Sequence, residues 1–278
     1  MLQNISRPHR PQQFVQWATR FHQHECTLVN NIQQPSCNIT VLTRMAEVPG
    51  LRKPLASHTA HADSLPHLAG AYPEFMPLPP RDSELIQIMD TELARTTHIS
   101  GSWLACRPGC TQCCHGAFAI NALDAARLSS GMESLRQSNP TLAARIEARA
   151  QSWLAEHSPN FPGNLATGTL GKSESEQEAF EDFANDAPCP ALDPATGLCD
   201  VYEYRPMTCR VFGPPVRVEP EDPTNTALAC CELCFIGASE ETIAACELHP
   251  PHAFESEILT ELDSNIETVV AFALIAPR

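Results

Sequence analysis

Apolar residues settle into helical spacing only beyond about residue 80 of the chain. In "RDSELIQIMDTELART", Leu85, Ile88, Met89 and Leu93 recur at three- and four-residue steps and share one helix face, with Asp82 or Ser83 placed to cap its start. "AINALDAARLSSGM" predicts a second helix, apolar at Ile120, Leu123 and Leu128 and ending near Gly131. "NPTLAARIEARAQSWLAEH" predicts a third, with Pro140 in its first turn and a stripe of Leu142, Ile146, Ala150, Trp153 and Leu154 turned to the core. "SESEQEAFEDFAND" reads as a short helix with a solvated acidic face. "SEETIAACEL" and "ESEILTELDSNIETVVAFALI" read as closing helices, separated by Pro250 and Pro251, since proline lacks the N–H that a helix interior needs. Residues 158–173, rich in Pro, Gly, Asn and Thr, read as a loop, and residues 188–235 as irregular with short strands near "TCRVFGPPVRV".

Residues 1–80 show no sustained period, and "LPHLAGAYPEFMPLPPRD" is too rich in proline for a helix interior. This part holds ten of the 25 prolines and six of the 11 histidines. It is expected to be disordered or loosely attached, with residues 81–278 forming the folded domain. Two other readings are a translation start at Met45 or Met76 and a transit peptide, the second weakened by the lack of an amphipathic face.

Charge separates the same two parts. Residues 1–80 carry six basic and four acidic residues, whereas 81–278 carry 12 and 29. The whole chain has a net charge of −15, which repels a phosphate backbone, so no nucleic-acid partner is expected. No apolar run approaches the roughly 18 residues of a membrane span. "MLQNISRPHRPQQFVQWATRF" has no continuous apolar signal core. The expectation is a cytoplasmic protein with no membrane association, which leaves room for a protein partner of unknown identity.

In a reducing compartment a cysteine cluster points to metal or catalysis before disulfides. There are 13 cysteines, and ten lie between residues 106 and 234. Cys106, Cys110, Cys113 and Cys114 form a first set in "CRPGCTQCCHG". Cys189, Cys199 and Cys209, then Cys230, Cys231 and Cys234, form a second. Cys26, Cys37 and Cys246 stand apart and read as free thiols or small packed hydrophobes. Thiolates are soft ligands for zinc, copper(I) or iron–sulfur clusters, and Pro and Gly between them let a chain fold back on one centre. Adjacent side chains diverge on regular backbone, so Cys113 and Cys114 either serve different metal atoms or divide into one ligand and one structural thiol. Ten clustered thiols exceed the four of a closed zinc site, which implies two centres or a polynuclear cluster. The Cys106-x3-Cys110-x2-Cys113 spacing also fits a three-cysteine [4Fe–4S] motif of the kind that binds S-adenosylmethionine. The β/α barrel that usually carries that motif is not expected here, because strand–helix alternation is missing.

"CRPGCTQCCHG" followed by "CPALDPATGLCDVYEYRPMTCRVFG" resembles the CxxCxxCC, or YkgJ-type, cysteine-cluster family, described as zinc- or iron-chelating and often as iron–sulfur proteins. The resemblance covers about residues 100–235 and rests most on Cys189, Cys199, Tyr202, Arg205, Pro206, Cys209, Arg210 and Phe212. It implies eight shared cysteines: Cys106, Cys110, Cys113, Cys114, Cys189, Cys199, Cys209 and, as the best match for the last, Cys230. Cys231 and Cys234 are then additional metal-ligand candidates. The first gap is three residues where the family has two. Relatives include a flagellin lysine methylase, which implies that the scaffold can support cluster-assisted methyl transfer.

Around the thiols, Arg205 and Arg210 flank Cys209 and could stabilise an anionic centre, or pair with carboxylates. Tyr202 could donate to a sulfur or pack as an aromatic ring, and His115 either ligates or borders the site. The expected fold is mainly α, a small helical domain around an irregular, cysteine-ligated metal core with at most short strands. Metal would contribute to folding, leaving residues 188–235 loose without it. Two functions fit: a metal-binding protein that holds an iron–sulfur cluster, [4Fe–4S] among the options, or zinc in an accessory or sensing role, or a cluster-dependent protein-lysine methylase. The sequence leaves open whether the chain is an enzyme. No glycine-rich strand–helix loop is visible for S-adenosylmethionine, and "GNLATGTLG" at 163–171 reads as a polar linker, so binding leads.

Overall fold

The structure, a computed structural model, describes residues 77–217 and 228–275. The loosely attached segment expected over residues 1–80 lies, up to residue 76, outside the described residues, as do Cys26 and Cys37. The rest is mostly helical with short two-stranded sheets, as the hydrophobic spacing predicts.

In chain order the main elements are α1 (Asp82–Ser100), β1 (Ala119–Asn121), α2 (Ala122–Ser138), α3 (Pro140–His157), β2 (Gly163–Asn164), β3 (Thr169–Leu170) and α4 (Glu174–Glu181). They continue as β4 (Leu192–Asp193), β5 (Leu198–Cys199), α5 (Met207–Arg210), β6 (Val216–Arg217) and β7 (Leu228–Ala229). The last are α6 (Glu240–Ala245), α7 (His252–Glu261), β8 (Glu267–Val269) and α8 (Val270–Ile275).

Asn121 ends β1 and caps α2, its side-chain oxygen accepting from the Asp124 N–H at 2.9 Å. Asn139 does the same for α3, where Pro140 occupies the first turn. Helices α2, α3 and α8 close around Leu128, Met132, Ile146, Ala150 and Leu274, all withdrawn from solvent. A second core joins α1 to α5 and α7 through Leu85, Met89, Met207 and Ile258. A third, under the β1–β8 pair, gathers Trp153, Phe183 and Phe272 with Phe161 against them. Its rings meet edge to face, Phe161 and Phe272 at 5.2 Å between centroids, the arrangement their quadrupoles favour.

Four expectations need correction. Helix α1 is not capped by Asp82 or Ser83: Arg81 holds the cap position without a side-chain cap, and Asp82 is the first helical residue, bound to Arg127. Helix α2 does not end near Gly131 but runs on to Ser138. Gly131 is there because α2 presses against the Tyr204 ring, where a Cβ would collide. The segment 158–173 is not all loop: Gly163–Asn164 and Thr169–Leu170 pair as a hairpin, with Gly168 at positive φ in the turn. The last closing helix is interrupted by β8, whose run of Thr268 and Val269 is β-branched and pairs antiparallel with β1, Ile120 opposite Thr268.

The first two cores are tied by a buried charge network. Arg127 on α2 reaches Asp82 of α1 and, at 2.5 Å, Asp124 one turn earlier on its own helix. Asp124 also accepts the backbone N–H of Met207 at 2.8 Å, which anchors the start of α5. Asn121 donates to Glu255 of α7 at 3.0 Å. One guanidinium serves three buried carboxylates, Asp82, Asp124 and Glu255, so full ionisation of the three is opposed. Burial, aided by the field of Asp124, pushes the Glu255 carboxyl up to about 7.

Two outcomes follow. Gly131→Ala lowers unfolding free energy by about 1–3 kcal/mol in urea titrations, because the overpacking against Tyr204 outweighs alanine's better helix propensity. Glu255 carries a raised pKa in the folded state, so its contribution to stability is greatest when protonated and falls as pH rises from about 4.5 to about 7. Glu255→Gln removes that slope: relative to wild type it gains stability across that interval, read by urea unfolding at its two ends.

Candidate metal centre

The first cysteine segment is shaped by two tight turns. Cys110 N–H donates to Arg107 O at 2.9 Å over "CRPGC", with Gly109 at positive φ, and Cys114 N–H donates to Thr111 O at 2.8 Å. The second segment joins the first directly, through Cys189 N–H donating to Cys114 O at 2.7 Å. The β4–β5 hairpin then brings Cys199 opposite Leu192, turned by Gly197 at positive φ. Pro206 opens α5, which carries Cys209, and Asp124 accepts that helix's first N–H. Beyond Gly213 the chain returns so that Cys231 N–H donates to Gly213 O at 3.2 Å.

The ten thiols sort into two groups. Cys113, Cys114, Cys189, Cys199 and Cys209 have one another as their strongest thiol neighbours in electrostatic terms. Cys106, Cys110, Cys231 and Cys234 form the other group, with Cys230 beside Cys234. The vicinal pair therefore stays together in the inner group. All eleven described cysteines are free thiols, Cys246 among them, buried in the apolar cluster with Cys231, Cys234 and Phe235.

Within the inner group, burial pushes Cys189 up to about 12 and Cys209 well above the usual thiol range. Cys113 goes the other way, lowered to about 7 by a hydrogen bond from the Cys114 thiol, helped by its backbone and by the Arg205 charge. Arg205 is buried, and its Nε and Nη1 have no hydrogen-bond partner among the described residues. Its guanidinium lies over the Tyr202 ring at 3.7 Å. Arg205 also opposes the upward push on Cys199. Arg210 is engaged elsewhere, donating to Asp90 at 2.5 Å and to Glu203 O at 2.7 Å, so it braces the loop that carries Arg205. His115 is exposed, with Nδ1 at 3.0 Å from Thr111 O, and pairs through its backbone with Pro188.

This donor set fits a metal centre in its chemistry. Soft thiols crowd one region, and a buried cation with unpaired donors faces them, the complement that an anionic thiolate centre requires. A bound cation would also reverse the upward push on the thiols, since coordination deprotonates them. Among the described residues no three Cys, His, Asp or Glu side chains stand at ligand positions around one point, so a ligand set here would have to close on metal loading.

Sequence reasoning missed Asp124, Gly213 and the bracing role of Asp90. Asp124 and Asp90 look like ordinary helix-surface acids in sequence. Gly213 carries a faint signal, as a glycine directly after "RVF" and before a Pro-Pro pair.

Fold and thiols together define a mainly helical, cysteine-rich chelating domain. Residues 105–234 match the model of the CxxCxxCC family, described as a "putative zinc- or iron-chelating domain". No curated protein and no solved structure matches the chain. No helix among the described residues is long and apolar enough to cross a membrane.

Arg205→Gln is expected to weaken metal retention by about 10–100-fold, the usual effect of removing a group that supports the ligands. The measurement is competition with a chromophoric chelator, with circular dichroism confirming that the variant keeps its helices.

Proposed function

We propose that the protein is a metal-binding protein of accessory or sensing role whose inner thiols, Cys113, Cys114, Cys189, Cys199 and Cys209, hold an iron–sulfur cluster. The observation that carries the reading is the unpaired, buried Arg205 beside Cys113 and Cys199. A buried guanidinium with two nitrogens left without acceptors among the described residues is stabilised when its neighbours are thiolates, and thiols this crowded ionise together only around a cation. The five inner thiols, the vicinal Cys113–Cys114 pair among them, favour a polynuclear cluster over a single ion, because one closed zinc site takes only four. The free thiols accord with a reducing, cytoplasmic setting.

In such a centre this chain's residues hold and shield. Cys189 N–H ties the two cysteine segments, Asp124 fixes the helix under Cys209, and Arg205 supplies hydrogen bonds and positive charge. The cluster would supply electron transfer or redox-dependent stability. The hairpin at 163–171 turns back on itself and gives no cradle for a nucleotide, so binding is preferred to methyl transfer.

Anaerobic purification of the full chain with iron, zinc and acid-labile sulfide analysis tests the reading. Iron, sulfide and a visible charge-transfer band are expected, all lost together with thermal stability in Cys199→Ser. A colourless protein that holds zinc without sulfide would overturn the iron–sulfur assignment, and unchanged metal load in Cys199→Ser would remove that thiol from the ligand set.

A further inference from the structure

The geometry points to a second, self-contained metal centre made of Cys106, Cys110, Cys231 and Cys234, suited to one zinc-like ion and separate from the inner thiols. It shares with the proposed function the premise that these thiols hold metal, and deepens it by dividing them between two centres.

The two pairs sit on short turns of the kind that present sulfurs in one direction. Cys106 and Cys110 flank the turn closed by Cys110 N–H on Arg107 O at 2.9 Å. Cys231 and Cys234 flank another, closed by Cys234 N–H on Cys231 O at 2.8 Å. The turns face each other although 128 residues separate Cys106 from Cys234, whose sulfurs lie 4.0 Å apart. Two thiolates on one tetrahedral zinc, at Zn–S of about 2.3 Å, stand ~3.8 Å apart, so this pair is already near its bound spacing. Cys110 ends the first turn and Cys231 opens the second, which places them beside Cys106 and Cys234 to complete the set.

The surroundings are those of a built site. Ala105 N–H donates to Cys234 Sγ at 3.4 Å, the backbone support a thiolate uses. Gly213 has φ of +113°, and a Cβ on it would lie 2.5 Å from Cys106 Sγ, so only glycine leaves that sulfur its place. The same glycine's carbonyl accepts the Cys231 N–H at 3.2 Å. Phe235 N–H donates to Trp103 O at 2.8 Å and pins the second turn to the first. Leu104, Phe235, Ile243 and Cys246 wall the inner side with apolar surface. Cys230 packs against the same apolar cluster without burying fully, and is left outside the four.

Four soft ligands with no water-bearing position describe a closed, structural site, and zinc is the ion that fits it. Loading it would clamp residues 104–110 to 230–235, the two ends of the family segment, with the thiol protons released to solvent.

The test uses the full chain, purified anaerobically, as wild type and as the double variants C231S/C234S and C199S/C209S. C231S/C234S is expected to lose one zinc equivalent per chain while the inner metal and its absorption stay. C199S/C209S is expected to lose the inner metal and keep that zinc. Zinc unchanged in C231S/C234S, or loss of both metals from a C231S/C234S chain that keeps its circular dichroism, would overturn the proposal. Should C231S/C234S fail to fold, cobalt(II) titration of wild type decides. An intense four-thiolate tetrahedral spectrum that Cys106→Ser abolishes and Cys230→Ser preserves supports the site, and a spectrum indifferent to Cys106→Ser overturns it. Failure of the iron–sulfur reading shows separately, as missing iron and sulfide in a wild type that still carries this zinc.

Discussion

Thiolates confined together repel, and the cysteine half of this protein is organised around that constraint. Burial and mutual proximity push Cys189, Cys209 and Cys231 upward, so without a cation these sulfurs remain protonated and only Cys113 is drawn down towards neutrality. A metal cation reverses the balance. Arg205 lowers the barrier further for the inner group by holding a fixed, unpaired positive charge beside it.

The helical scaffold acts on this region at a few points. Asp124 belongs to the hydrophobic interior of α2, yet one of its oxygens receives both Arg127 and the first N–H of the helix that carries Cys209. Packing of α1 against α2 therefore reaches the thiols through one carboxylate. Gly131 lets α2 approach Tyr204, next to Arg205 in the chain, and Arg210 with Asp90 ties the same loop to α1. The cysteines need little regular structure of their own because the scaffold positions the turns that bear them.

Periodicity makes the long helices legible: α3 and α4 follow their apolar or acidic faces, and α1 does so at Leu85 and Met89 while Ile88 is left exposed. It fails where tertiary contact overrides a local signal. Gly131 looks like a stop and is a close-approach site, while Thr268 and Val269 leave a helical pattern for β-pairing that only β1 makes worthwhile. At the site, residue type and spacing single out the cysteines, Tyr202 and Arg205. They do not reveal that the first motif divides, with Cys106 and Cys110 turned to one group and Cys113 and Cys114 to the other. That division depends on where residues 230–235 return, which Gly213 and Trp103 determine through backbone contacts that leave no pattern in the side-chain sequence.

The division of the thiols is the central claim, and the most direct measurement of it follows each cysteine as metal is withdrawn. The anaerobic full chain is exposed to increasing chelator, pulsed with iodoacetamide and mapped by peptide mass spectrometry. The account predicts two alkylation phases, with Cys106, Cys110, Cys231 and Cys234 becoming reactive together and Cys113, Cys114, Cys189, Cys199 and Cys209 together at a different chelator concentration. A single phase in which both sets become reactive at once, or one that mixes members of the two sets, would contradict it.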